Sequence, residues 1–313
     1  MPSWAEGLRV ATFNTEWVRK GPGELLRDLS RGDAPDVEAG LSVITAARAD
    51  VLLLQSVDYD LDGLTLAALQ AALSQAGLDY PHAYQGRPNT GRHAGFDLDR
   101  DGRVEEPEDA LGYGRYGGEG GMAMLSRYPL GEVREFTGLI WAEQPWSNFP
   151  KDYFTDDEAA RLPLSSVAHW AVPVDVGGTS LTLLSSHASP PVFDGPEDRN
   201  GLRNGDEITL WAEMLDGAYG GVAAPFVVLG DLNNDMTQGE GLKPPLARLL
   251  SHPRLQDPAP EGEITVRWAG VGALRVDYVL PSAGLSVRDH GVIWGAGERA
   301  SRHALVWVDI ALP

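Results

Sequence analysis

The residues with chemistry to offer stand at the ends of apolar runs. Phe226 to Leu229 reads as a short buried strand, which Gly230 stops before Asp231 and Asn233. Alternate residues leaving a strand point the same way. A carboxylate and an amide are therefore presented together, a pairing that can orient water and hold a hard cation or a phosphate. Alone, the pair is equally a polar turn, since Asp and Asn are turn formers. Other strand ends change the balance. Leu8 to Phe13 is followed by Asn14 and Glu16, which alternation puts on one face. Val51 to Leu54 ends in Gln55, and Thr179 to Ser185 runs into Ser186 and His187. Asp277 sits in an apolar strand, Arg275 to Pro281, where an unpaired carboxylate is costly to bury. Ser301-Arg302-His303 precedes a last apolar run, Ala304 to Val308.

The elements that must position these groups alternate in type. Pro35 to Ala49 carries Val37, Leu41, Ile44 and Ala47 at helical spacing. Leu61 to Ala76 predicts a second amphipathic helix, stopped by Gly77. Strand, helix, strand, helix points to an α/β layered fold. His169 to Val176 and Thr179 to Ser185 read as a hairpin around Gly177-Gly178. Asp194 to Glu207 is dense in charge and amides, like a surface loop ahead of a helix from Ile208 to Leu215. Arg203 and Asn204 would then meet a phosphate at the helix start. Another helix is expected near Leu242 to Leu250. No repeat or linker divides the chain, which predicts one domain over residues 1–313.

Gly86 to Gly121 breaks the pattern as a long excursion rich in Gly and charge. Within it, Asp97 to Glu108 matches the calcium-loop template D-x-D-x-D-G-x5-E. Asp97, Asp99, Asp101 and Glu108 would supply side-chain oxygens, Arg103 its carbonyl, and Gly102 the sharp turn, with Val104 packing inward. A structural Ca2+ is expected in this insertion, near residues 86–120. Trp141 to Leu164 is a second loop-like stretch, whose aromatics are expected to pack rather than bind a ligand.

Composition sets outer bounds. The chain has 313 residues and a net charge of −20. That balance repels a phosphate backbone, so nucleic acid is not the favoured partner. Without cysteine there is no disulfide framework and no thiolate metal site. No apolar run reaches the roughly 20 residues of a membrane span. Met1 to Gly7 does not look like a signal peptide. A secreted or periplasmic location is expected if such a peptide was removed, and the chain is expected to be a monomer.

Taken in order, Asn14, His187 after Leu-Leu-Ser-Ser, Gly-Asp-Leu-Asn at 230–233, Asp-Tyr-Val-Leu-Pro at 277–281 and Ser-x-His at 301–303 resemble the endonuclease/exonuclease/phosphatase superfamily, with its deoxyribonuclease I-like fold. The strand Gly-Met-Ala-Met-Leu-Ser-Arg-Tyr-Pro fits as well. The resemblance spans about residues 8 to 311. It implies a four-layer sandwich of two packed mixed β-sheets flanked by helices, and metal-dependent hydrolysis of phosphoric esters. His303 would sit over the scissile phosphate as base or electrostatic stabiliser with Asp277 close by, Asp231 and Asn233 would orient water and phosphate oxygens, and His187 would neutralise a phosphate oxygen or protonate the leaving group. Asn14 would help hold the metal, Mg2+ or Mn2+, or the phosphate of the substrate. Two positions depart from the family pattern: Gln55 replaces a metal-binding Glu, and Arg302 replaces an Asp. Glu16 is the nearest substitute carboxylate, with Asp58 a second, and Arg302 could itself bind phosphate. Two other readings are a nuclease and a catalytically degenerate, calcium-stabilised binding module.

Overall fold

The computed structural model describes residues 7–297 and 299–313. Its strands are β1 (Leu8–Asn14), β2 (Val51–Val57), β3 (His82–Tyr84), β4 (Gly121–Ser126), β5 (Arg134–Glu135), β6 (Ala168–Val176), β7 (Thr179–His187), β8 (Phe226–Asp231), β9 (Val266–Trp268), β10 (Gly272–Leu274), β11 (Asp277–Pro281), β12 (Ser286–Ile293) and β13 (Leu305–Ala311). The helices are α1 (Glu24–Arg31), α2 (Pro35–Ala47), α3 (Leu64–Gln75), α4 (Asp156–Ala159), α5 (Arg199–Leu215) and α6 (Lys243–Leu250). One mixed sheet runs β12-β13-β1-β2-β4-β3 and the other β11-β8-β7-β6-β5, with β9 and β10 as a separate pair.

Period-two alternation explains the layers. Val10, Val51, Leu53, Met122 and Met124 from the first sheet meet Val172, Leu183, Val227, Leu229 and Val279 from the second in one core. The intervening residues point outward. Ala11, Phe13, Leu52 and Leu54 pack beneath Leu25 of α1, Ile44 of α2 and Leu69 of α3. Leu184, Phe226, Val228 and Leu280 pack beneath Trp211 of α5 and Leu246 of α6. The result is the expected four-layer sandwich. Two local expectations shift. α1 was not anticipated, and it forms because Leu25 and Leu29 share one buried stripe, with Glu24 and Arg31 complementing its dipole. α5 begins nine residues earlier than its apolar pattern suggested, at Arg199.

That extension changes the reading of Arg203 and Asn204. They lie inside α5, not at its start, and their polar atoms are committed to protein. The Arg203 guanidinium donates to the carbonyls of Leu111, Pro163, Leu164 and Ser165 at 2.7–2.9 Å. Asn204 donates to Ser189 and Leu232 and accepts from Asn234. Asp206 takes Trp141 Nε1–H and two N–H groups of Asn148. Glu207 takes Ser166 N–H, Ser166 Oγ–H and Ser189 N–H. One helix face thus ties down five loop segments. Burial pushes Glu207 up to about 7, against the charge of Arg203 and these hydrogen bonds. Replacing Arg203 with Met would strand four carbonyls and leave Glu207 without its countercharge. Urea unfolding should show a loss of about 3–5 kcal/mol, since each stranded buried carbonyl costs about 1–3 kcal/mol, and a smaller loss for Glu207→Gln, which keeps one acceptor oxygen but turns its NH2 on the other N–H donor.

Candidate active site

The site is the polar end of the inter-sheet core. Asn14 lies in register with Gln55 on the neighbouring strand. Across the second sheet His187 pairs with Asp231, and Asp231 with Asp277, in one row. Each shares its strand face with the apolar core residues below, as Val10 lies under Asn14 and Leu229 under Asp231. Asp277 opens β11 rather than sitting mid-strand, because β11 runs antiparallel to β8 and starts where β8 ends. Gly230 does not stop β8. Its φ is +145°, and a Cβ there would lie 1.9 Å from the Ser186 carbonyl oxygen. Glycine is what lets β7 and β8 bring His187 and Asp231 abreast.

Hydrogen bonds join the rows. Asn14 Nδ2 donates to Asp231 Oδ2 across the two sheets at 2.9 Å. His303 Nδ1 lies 2.9 Å from Asp277 Oδ2 and 3.9 Å from Asp231 Oδ2. Burial opposes a charge on His303, but the charge and hydrogen bond of Asp277, aided by Asp231 and Glu16, outweigh it and raise the imidazole to about 9. Asp231 is held above the usual carboxylate range by burial and by the charge of Asp277, although His303, Asn14 and the Asn233 N–H pull the other way. His187 Nε2 lies 3.6 Å from Asp231 Oδ2. Burial, then the His303 charge, drive His187 down to about 3. That direction favours the neutral imidazole, which offers a phosphate an N–H donor. A carboxylate kept basic beside a fixed imidazolium is an arrangement for taking a proton from water next to an anion.

The remaining expected residues fall into three groups. Glu16 leaves the face of Asn14, because the chain turns at Glu16 with φ +52° and its N–H donates to Asn14 Oδ1. Its carboxylate accepts from Arg302 Nε at 2.9 Å and Arg302 N–H at 2.7 Å. Glu16 and Arg302, the two charges that replace the family pattern, thus neutralise each other at the rim. Asn233 donates its amide to the Ala188 carbonyl and its N–H to Asp231 Oδ1. Asp58 is spent on Tyr116 and Gly120. Ser56 and Trp268 escaped the sequence reading. Ser56 Oγ donates to Asn14 Oδ1, and the Trp268 ring meets His303 edge-on at 5.6 Å; no short motif announces either. A cleft of about 410 Å³ opens over Asn14, His187, Asp231, Asn233 and His303.

The donors here fit a hard cation. Carboxylate oxygens of Asp231 and Asp277 lie within 4.8 Å of each other beside His303; Asp277 Oδ1 is buried with no hydrogen-bond donor, and so, at the end of β2, is Gln55 Oε1. Gln55 Nε2 is anchored on Thr12 at 2.8 Å. Oxygen ligands of this kind suit Mg2+ or Mn2+, with the neutral Gln55 weakening the set relative to an acid.

The excursion differs in detail from its template. Asp97 Oδ2 accepts from Gly102 N–H, and Gly102 has the positive φ the turn requires. Asp97 and Asp99 converge with Asp109, not with Glu108. Glu108 instead lines a separate cavity. Asp101 accepts from the Arg103 N–H, the Arg103 side chain pairs with Glu106 and Asp101, and Val104 is exposed rather than packed inward.

Residues 11–303 match the family described as endonuclease/exonuclease/phosphatase. No curated protein sequence matches the chain. Among solved structures, an endonuclease/exonuclease/phosphatase from Beutenbergia cavernae DSM 12333 aligns at 21% identity and a TM-score of 0.61, covering 98% of this chain and 72% of its own. Sphingomyelinase C from Streptomyces griseocarneus aligns at 17% identity and 0.51, covering 97% and 99%. A mutant beta toxin from Staphylococcus aureus, with bound magnesium ions, aligns at 12% identity and 0.53, covering 97% and 99%. At such identities the structures establish a shared fold, and the sequence match over most of the chain establishes the kinship: the chain belongs to the endonuclease/exonuclease/phosphatase family, whose members are metal-dependent hydrolases.

Proposed function

We propose that this chain hydrolyses a phosphodiester or phosphomonoester in the cleft between the sheet ends. The observation that carries the reading is the convergence of His187, Asp231, Asp277 and His303, with Asn14 binding Asp231 across the sheets. Asp231 takes a proton from the attacking water as the new P–O bond forms. His303, held charged by Asp277, and the N–H of His187 face the phosphoryl oxygens as negative charge builds. The leaving oxygen departs in line and is protonated by solvent. Asp277 and Gln55, whose buried Oδ1 and Oε1 lack a hydrogen-bond donor, would help hold Mg2+ or Mn2+, which would supply further positive charge to the phosphate; the magnesium-bound beta toxin supports this choice. The net charge of −20 weighs against a polynucleotide substrate.

Activity on bis(p-nitrophenyl) phosphate and p-nitrophenyl phosphate tests the reading. His303→Ala and Asp231→Ala should each cost roughly a hundredfold or more, as for a lost general catalyst. Wild-type rates in both would overturn the assignment. The rate should rise as Asp231 ionises and fall as His303 loses its proton near pH 9. In Asp277→Asn the alkaline limb should move down toward the ordinary value of 6.5. Stability follows the same sign. The folded value of His303 lies above the ordinary one, so the pair stabilises fully below about pH 6.5 and loses its contribution as pH rises through about 9.

Metal affinity provides a second test that does not depend on turnover. By calorimetry, Gln55→Glu should bind Mn2+ at least about tenfold more tightly, because it restores a charged oxygen ligand. Glu16→Gln should leave binding nearly unchanged, since its carboxylate is held by Arg302. Weakened binding in Glu16→Gln would return Glu16 to the metal.

The excursion is proposed to hold a structural Ca2+. Asp97 Oδ1 is buried without a partner, and burial, with the charges of Asp101 and Asp109, raises Asp99. A cation bound by the folded state at about a hundred times its Kd adds about 2.7 kcal/mol. Ca2+ should therefore raise the Tm, a chelator should lower it, and Asp99→Ala with Asp109→Asn should abolish the response.

A further inference from the structure

Beside the catalytic cleft lies a second, larger cavity of about 600 Å³, within the size range of sites for organic ligands. Its walls come from the two loop stretches that interrupt the strand-helix pattern: Leu98 and Ala110 from the first, Trp141, Phe154 and Leu162 from the second, with Val167 beside them. The cationic side chains in its walls are spent within the protein. Arg115 pairs with Glu119, Arg199 donates to the Leu98 carbonyl, and Arg203 holds its four carbonyls. The cavity therefore lacks the free basic groups that a second phosphate or a polynucleotide strand would need.

The two cavities share a wall of His187, Pro190, Val192 and Phe193. Large apolar side chains exposed to solvent rim the larger cavity, and one of them, Phe193, stands on the shared wall. Val18 (45% exposed), Tyr113 (59%) and Phe193 (88%) all border the larger cavity. Phe193 is also held in the left-handed region at φ +69°. An aromatic residue in that conformation, standing in water between two cavities, carries a conformational cost that the interior of the fold does not explain. Exposed apolar groups clustered at a cleft mark a binding surface.

We propose that this chamber is the subsite for an apolar organic substituent of the phosphoric ester, so that the phosphorus sits against His187 while an alkyl or aryl group enters the chamber past Phe193. The proposal rests on the phosphoesterase reading and names its substrate class: an ester with one hydrophobic arm.

A homologous series tests it. Methyl, octyl and dodecyl p-nitrophenyl phosphodiesters are compared below their critical micelle concentrations. In the wild type kcat/KM should rise tenfold or more from methyl to dodecyl. Ala110→Trp, which fills the chamber, and Phe193→Ala, at its exposed mouth, should each flatten that rise. Methyl-ester hydrolysis with no chain-length dependence overturns the subsite and leaves the phosphoesterase reading intact. If no ester is cleaved, the phosphoesterase reading fails, and calorimetry with dodecyl phosphate against methyl phosphate decides the chamber alone. Tighter dodecyl binding in the wild type, lost in Ala110→Trp, supports it, and equal binding overturns it. Presenting the dodecyl ester in phosphatidylcholine vesicles or as free monomer distinguishes a bilayer source from a soluble one, and faster turnover of the long chain in either form supports the subsite.

Discussion

The structure depends on a helix that is buried and polar at once. Arg203, Asn204, Asp206 and Glu207 occupy little more than one turn of α5, and among them they satisfy backbone groups from residues 111, 148, 163–166, 189 and 232. Those groups belong to loops that cannot pair with a sheet. Unsatisfied and buried, each would cost about 1–3 kcal/mol. The helix supplies what neither water nor a strand can reach. Two of the residues it secures, Ser189 and Leu232, lie two and one positions after His187 and Asp231 in the chain. The row of His187, Asp231 and Asp277 is therefore held from both sides: by β-ladder register below, and by this polar helix above.

The site itself needs no separate architecture. Strand alternation fills the space between the sheets with Val, Leu and Met, then places amides, carboxylates and imidazoles where the apolar run ends. Water is excluded from below by the core, and the charges are set by one another. Asp277 fixes His303 as a cation, that cation helps keep His187 neutral, and burial keeps Asp231 basic. Three neighbouring titratable groups thus take three different protonation tendencies from position alone.

Much of this was legible in the sequence, and the reasons are specific. Asn14, Gln55, His187 and Asp231 could be found because alternation and strand ends are local properties. Asp277 stood out because a carboxylate among Val, Tyr and Leu demands a partner, and His303 proved to be that partner. Residues whose role depends on distant segments were harder to read. Arg203 and Asn204 looked like a phosphate site because a polar helix buried by loops has the same composition as a solvated one. Glu16 was placed beside Asn14 by alternation, but the backbone turns left-handed there and delivers it to Arg302. Asp109 rather than Glu108 closes on Asp97 and Asp99, since the loop ends in a short turn of 3₁₀ helix at Pro107–Asp109 that rotates the last acid away.

The hydrogen bond from Asn14 to Asp231 joins residues 217 apart in sequence, one on each sheet. The second sheet carries His187, Asp231 and Asp277, but Asn14 ends β1 of the first sheet and His303 precedes its β13. During refolding, strands and helices can form, and each sheet can pair internally, before any turnover is possible. Recovery of turnover would then time the docking of the two halves of the sandwich, whereas far-ultraviolet circular dichroism would report only on their parts. In this protein the enzyme's own reaction is a clock for the last long-range step of its folding.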